Sequence, residues 1–178
     1  MSTSIIKKQT LAAALKALMD ERSFSRISVT DICTYCHVSR KSFYYHFKDK
    51  DDLVKWIFYF ECADRLIEEN IKDFWVFYRK LADYIYENKE YYVNLANVSG
   101  IHSFQALLYQ FLFSNLEKHI HDYFEEHSKY NDDQKQMDCL DFLSTSFMTS
   151  LKNWIVKHPE MTVEDFIEVT RFDKLLKH

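Results

Sequence analysis

Apolar residues recur at intervals of three and four along most of this chain, the spacing that gathers them on one face of a helix. Leu11, Leu15, Leu18 and Met19 do so in a first segment from Ile5 to Arg22, with alanines between them that allow close packing. A second long segment, about Lys50 to Glu69, carries Leu53, Trp56, Ile57, Phe60, Ala63 and Ile67. It is longer than a small N-terminal unit needs, so it is expected to join that unit to the remainder as a lever. From Phe74 the pattern turns aromatic. Phe74 to Asn88 and Glu90 to Val98 read as two shorter helices, with a break at Gly100. Ser103 to His127 and Gln134 to Lys157 read as long helices separated by a polar loop at Tyr130 to Asp133. After Pro159 a last helix is expected from Thr162 to Leu176, with Thr162 and Asp165 set three apart as in a capping box.

Composition narrows the fold. The 178 residues contain one Gly and one Pro, far too few for the turns that hairpins and sheets require. The class expected is therefore all-α. Apolar residues make up 47% and aromatic residues 17%, enough for a sizeable core and a surplus that must fill a core, a dimer face or a cavity. Charge is uneven. Residues 1–56 hold ten Lys/Arg against six Asp/Glu, and residues 57–178 hold thirteen against twenty-one. A basic end on an acidic body suits a nucleic-acid-binding module attached to a domain of another purpose. No apolar window is long enough for a membrane span and no export signal is read, so a cytoplasmic location with four reduced cysteines is expected.

Between the two long N-terminal segments lies Ser28 to Asp52, SVTDICTYCHVSRKSFYYHFKDKDD, which reads as two short helices and a tight turn. Thr30 is expected to cap the first, and Asp31 places a negative charge near the positive end of its dipole. Ile32, Cys33 and Cys36 form its apolar face and Val38 fills the corner. Ser39 is the cap expected for a second helix, Arg40 to Phe47, on which Phe43 and Phe47 share one face. The other face holds Arg40, Lys41, Ser42, Tyr44, Tyr45 and His46. A polar, basic and aromatic second helix of this kind can enter the major groove of DNA. Arg40 and Lys41 suit phosphate or guanine, Ser42 a base edge or phosphate, and the tyrosines and His46 sugar and phosphate. Thr30, Ser39 and Lys50 stand at helix starts, where side chain and backbone N–H together clamp the DNA backbone.

The order V-T-D-I…V-S-R-K-S-F-Y-Y-H-F-K-D-K-D-D-L, preceded by the helix Ile5 to Arg22, resembles the N-terminal DNA-binding domain of TetR/AcrR-type transcriptional regulators over roughly residues 5–60. The recognition-helix wording, with Asn153-Trp154-Ile155 ahead of a proline, also resembles the branch related to dihydroxyacetone-kinase regulators. The family usually has Gly in the turn where this chain has His37. A left-handed residue without Gly costs up to about 1 kcal/mol, and His is among the better-tolerated substitutes.

The resemblance implies a helix-turn-helix domain over residues 1–48, with Phe24, Ile27, Ile32, Val38, Phe43 and Phe47 as its core. Residues 49–178 would then bind an effector and dimerise. It puts Ser42, Tyr44, Tyr45, His46 and Lys50 where the family usually touches DNA, and pairs the last two long helices with their copies in a four-helix interface. The implied partners are a palindromic operator, a second copy of the chain and an unknown small-molecule effector, with no membrane and no cofactor. Repression relieved by the effector is the default sign, and activation is the alternative that the kinase-regulator branch suggests. A helical small-molecule or metal carrier without specific DNA binding is the rival from another class.

Other candidates are read beside it. Trp75, Tyr78, Tyr84, Tyr92, His102, Gln105 and Tyr109 line an aromatic stretch able to form a mostly apolar pocket with polar anchors, and Asn94 lies among them. Cys33 to His37 spells C-x-x-C-H, the covalent haem pattern, but it crosses the helix and turn that DNA binding requires, and small buried side chains are the reading preferred. His121 with Glu125 has metal-ligand spacing, whereas His119 and His121 point apart, so no metal site is assigned. With one glycine there is no phosphate loop, and no H-E-x-x-H or nucleophile elbow occurs, so no enzyme is read.

Overall fold

A computed structural model describes residues 3–98, 103–127 and 133–171, and all regular structure among them is helical. The N-terminal unit consists of α1 (Thr3–Glu21), a 3₁₀ turn (Phe24–Arg26), α2 (Val29–Tyr35) and α3 (Arg40–His46). Leu11, Leu15, Phe24, Ile27, Ile32, Phe43 and Phe47 bury together at its centre, while Val38 is half-buried at the corner. Helix α2 is capped by Ser28 and not by Thr30. Ser28 has extended backbone, its hydroxyl accepts from Asp31 N–H at 3.2 Å, and Asp31 accepts from Ser28 N–H at 2.7 Å. The reciprocal pair needs an acid three residues after the cap, which Ser28 has in Asp31 and Thr30 lacks. The Ser28 hydroxyl also donates to the Asp31 carboxylate at 2.6 Å, and this bond, then that from Ser28 N–H, with Arg22 behind them, hold the Asp31 carboxyl below its ordinary range.

His37 takes the left-handed conformation expected of the missing glycine, with φ of 55°. Val38 N–H reaches Cys33 O at 3.0 Å and His37 N–H reaches Thr34 O at 3.3 Å, the paired bonds that close a helix around a left-handed residue. Ser39 then caps α3, accepting from Ser42 N–H at 3.1 Å. The turn between α2 and α3 is thus made by the four residues Cys36 to Ser39.

The long helical run expected from about Lys50 to Glu69, read from the sequence as a lever, is present with one irregularity. Asp49 caps α4 (Lys50–Phe58), which runs into a π-helical segment (Tyr59–Ala63) and then α5 (Asp64–Glu68), closed by a second left-handed residue, Asn70, with φ of 47°. The body follows as α6 (Phe74–Glu87), α7 (Lys89–Ala96), α8 (Phe104–His127), α9 (Asp133–Lys157) and α10 (Val163–Thr170). Helices α8 and α9 form the most extensive helix pair, and the contacts Tyr109–Asp141 and His121–Gln136 show that they run antiparallel. Thr162 caps α10, accepting from Asp165 N–H at 3.2 Å. The predicted break at Gly100, the loop from Tyr130 and the end of the last helix beyond Arg171 lie outside the described residues.

The aromatic surplus fills the body's core. Phe58 of α4 meets Phe104 and Phe111 of α8 edge to face, at 5.7 and 5.2 Å. Trp154 of α9 stacks on Phe166 of α10 at 4.2 Å and on Tyr86 of α6 at 5.4 Å, and donates its indole N–H to Met161 O. Burying each such ring stabilises the fold by about 1.5–3 kcal/mol, with about 0.5–1.5 kcal/mol more per well-oriented pair. No helix among the described residues is long and apolar enough to cross a membrane.

Candidate nucleic-acid interface

Helix α3 has two faces with opposite fates. Phe43 and Phe47 anchor it in the core. On the other side Arg40 and Lys41 are exposed, Tyr44 is 50% exposed and Tyr45 83% exposed, with Ser42 and His46 half-buried beside them. Leaving two tyrosines this open forgoes most of the stabilisation that burying their rings would bring. The Arg40 guanidinium lies over the Tyr44 ring at 5.9 Å, and Tyr45 meets His46 edge to face at 5.0 Å.

These residues border an open groove of about 620 Å³ whose other wall is the start of α1, with Ser4 and Lys7 joining Ser39, Lys41, Ser42, Tyr44, Tyr45 and His46. Ser4 and Lys7 were not among the sequence candidates. The adjacent lysines Lys7-Lys8 on an exposed helix start are the signal that points to them. Partial burial, then Lys8 and Lys7, hold the His46 imidazolium pKa below its ordinary value. Of these causes, the two lysines mark a positive potential beside the groove, which attracts an anion.

The remaining candidates sit apart from that groove or are committed elsewhere. Thr30 is exposed in the first turn of α2. Lys50 donates to Phe24 O at 2.7 Å and to Ile27 O at 2.8 Å, and its ammonium lies 4.2 Å from the centre of the Phe24 ring. Two of its three N–H groups thereby tie the start of α4 to the turn before α2, and burial pushes its pKa down. Cys33 is buried and the half-buried Cys36 thiol donates to Ile32 O at 3.1 Å, with burial raising both thiol pKa values.

The effector-pocket candidates fall into separate groups. Trp75 and Tyr78 pack with Phe147, and Tyr78 donates its hydroxyl proton to Phe147 O at 3.0 Å. Tyr92 donates to the Tyr84 hydroxyl at 3.3 Å, and Tyr84 to Glu61 at 2.8 Å. Gln105 donates to Ala96 O at 2.8 Å, and Tyr109 to Asp141 at 2.6 Å, which raises the Tyr109 pKa to about 12. His102 lies outside the described residues. Where α6, α7, α8 and α9 meet, a cavity of about 10 Å³ is lined by Ile85, Ala96, Phe104, Gln105, Leu108, Met148, Leu151, Lys152 and Ile155. It is about the size of one water. His121 pairs with Glu125 at 3.3 Å, His119 packs against Phe74, and among the described residues no three His, Cys, Asp or Glu gather as a metal site.

Comparison with known proteins bears on both halves of the chain. The family described as "Bacterial regulatory proteins, tetR family" matches residues 11–57, and "Transcriptional regulator C-terminal region" matches residues 69–172. The "HTH-type dhaKLM operon transcriptional activator DhaS" of Lactococcus lactis subsp. lactis (strain IL1403) is 34% identical over 95 residues, covering 52% of this chain and 50% of that protein. The chain thus matches about half the length of that relative. Among solved structures, "Dihydroxyacetone kinase operon activator DhaS" superposes with a TM-score of 0.64 at 21% identity, over 93% of this chain and 94% of its own. A TetR transcriptional regulator from Streptococcus agalactiae 2603V superposes with 0.57 at 23% identity, over 93% and 92%. At these identities the structural likeness establishes the fold.

Proposed function

Because this chain belongs to the TetR family of transcriptional regulators, we propose that it acts in the cytoplasm as a homodimer that reads a palindromic operator through α3 and activates transcription. The observation that carries this reading is the exposed face of α3, with Lys41, Tyr44 and Tyr45 turned out beside Lys7 of α1. Residues 1–48 read the DNA in this account and residues 49–178 sense a signal and dimerise. Lysines and Arg40 engage phosphates, while Ser42 and the tyrosines approach base edges and sugars.

Dimerisation is supported by Tyr123 on α8 and by Met137 and Phe142 on α9, which are 59%, 50% and 68% exposed. One helix-turn-helix reads few base pairs, and two in successive major grooves multiply affinity for a site of matching spacing. The small-molecule effector opens the seam around Gln105 between α6, α7, α8 and α9, shifting the population of body conformations and with it the separation of the two α3 helices. Activation as the sign is supported by the stated role of the 34%-identical relative. It departs from the repression expected by default.

Selection of bound fragments from genomic DNA, followed by fluorescence anisotropy on the recovered site, tests the reading. Two protomers per site and a salt slope of about −0.9 per phosphate contact are expected. Equal, weak binding to all fragments would remove it in favour of a carrier. Transcription from the bound promoter with and without the protein decides the sign: a rise supports activation, a fall supports repression.

A further inference from the structure

The end of α1 leaves backbone groups without helical partners, as every helix end does. Here they are served from far along the chain. Asn94 of α7 donates one amide N–H to Met19 O at 3.0 Å and to Arg22 O at 3.1 Å, and its carbonyl accepts from Phe24 N–H at 2.8 Å. One primary amide thus bridges the last turn of α1 and the 3₁₀ turn that leads into α2. Its two kinds of polar atom each meet the complementary backbone group.

A second polar tether lies one turn away. Lys16 of α1 pairs with Glu61, which lies in the π-helical segment of the lever, and Glu61 accepts from Tyr84 at 2.8 Å, itself the acceptor of the Tyr92 hydroxyl proton. The Lys16 ammonium also lies 5.4 Å from the centre of the Tyr91 ring. Tyr91 and Asn94 of α7 therefore reach α1 or its end and Tyr92 reaches the ion pair only through Tyr84, while Leu95 and Ala96 are buried in the body. Helix α7 touches α1 on one side and α8 and α9 on the other.

We infer that Asn94 is a positioning residue for operator recognition, holding the helix-turn-helix at one orientation to the body so that α3 of each protomer meets its half-site at one spacing. The lever then has a companion: α4 carries the unit, and α7 sets its angle. A displacement of α7 by changes in the seam beside Ala96 reaches α1 directly through this amide. The inference rests on the two-half-site reading of the operator given above.

The test uses the full chain and the operator recovered by selection, together with versions carrying one base pair added or removed between the half-sites, and an isolated half-site. Asn94→Asp keeps the volume and the acceptor for Phe24 but turns an oxygen toward the two carbonyls. Its expected result is a loss of about tenfold at the native spacing, a flattened preference among spacings and unchanged half-site affinity. Lys16→Gln, which releases the second tether without touching the core, shifts the spacing preference in the same direction by a smaller factor and covers the case in which Asn94→Asp does not fold. Equal losses on every DNA, the half-site included, would mean damage to the helix-turn-helix and overturn the inference. An unchanged spacing preference in a variant beside a selective wild type overturns it alone, whereas a wild type indifferent to spacing overturns the two-half-site reading and this inference with it.

Discussion

The helix-turn-helix and the body treat polar and aromatic side chains in opposite ways. On α3, Tyr44, Tyr45 and Lys41 stand in solvent. In the body three of the four tyrosines expected as ligand anchors are engaged inward: Tyr78 on Phe147 O, Tyr92 on Tyr84, Tyr84 on Glu61. A buried hydroxyl must find a partner or cost free energy, so its hydrogen bond reports architecture. An exposed ring on a short helix has no such obligation, and its position points outside the molecule. Exposure separates the two roles better than residue type.

Removing outward residues and inward ones should accordingly fail in different assays. The largest effect is expected from Lys41→Ala with Tyr45→Ala, which should weaken operator binding by about 2–4 kcal/mol while thermal stability stays within about 0.5 kcal/mol of wild type. A loss of folding stability of the same size would break the contrast. Lys50→Met sharpens it, because Lys50 is expected on the DNA and also bonds Phe24 O and Ile27 O. Loss of about 2–3 kcal/mol in urea unfolding, with the salt slope of DNA binding unchanged, is the expected outcome. A shallower slope would return Lys50 to the DNA.

Tyr78→Phe removes the hydroxyl that donates to Phe147 O and should cost about 0.5–1.5 kcal/mol in stability, with operator affinity intact. Ser28→Ala removes the cap of α2 and should cost about 1 kcal/mol, read in the same melts. The smallest effect concerns pH. Burial, Lys8 and Lys7 depress the His46 pKa in the free protein, so above about pH 6.5 the ring is neutral there. Contact with a phosphate raises that pKa, binding takes up a proton, and affinity should rise a few-fold as pH falls from about 8 to about 6. His46→Gln should flatten that profile. The same depression makes native His46 slightly destabilising once pH drops below the unfolded value near about 6.5.

Much of the N-terminal unit was legible because its devices are local. Caps, an acid three residues on, a left-handed turn at His37 and an i, i+4 pair of phenylalanines all act within one or two turns of chain. The α2 cap lies two residues before the Thr30 that the sequence pattern predicts, since Ser28 and Thr30 are both good caps and Asp31 decides between them only through its reciprocal bond. The body was legible as helices and apolar stripes, but the partners of its polar groups were not.

Local pattern by itself determined that this chain is all helix, where its helices run and which face of α3 is polar, because helical periodicity and capping depend on neighbours in sequence. Tertiary structure alone decided that Lys50 turns inward, that Lys7 borders the groove beside α3 and that Asn94 closes the end of α1 from some 70 residues away. A polar side chain bonds whichever unpaired backbone group folding brings within about 3 Å, and that distance is set by helix packing.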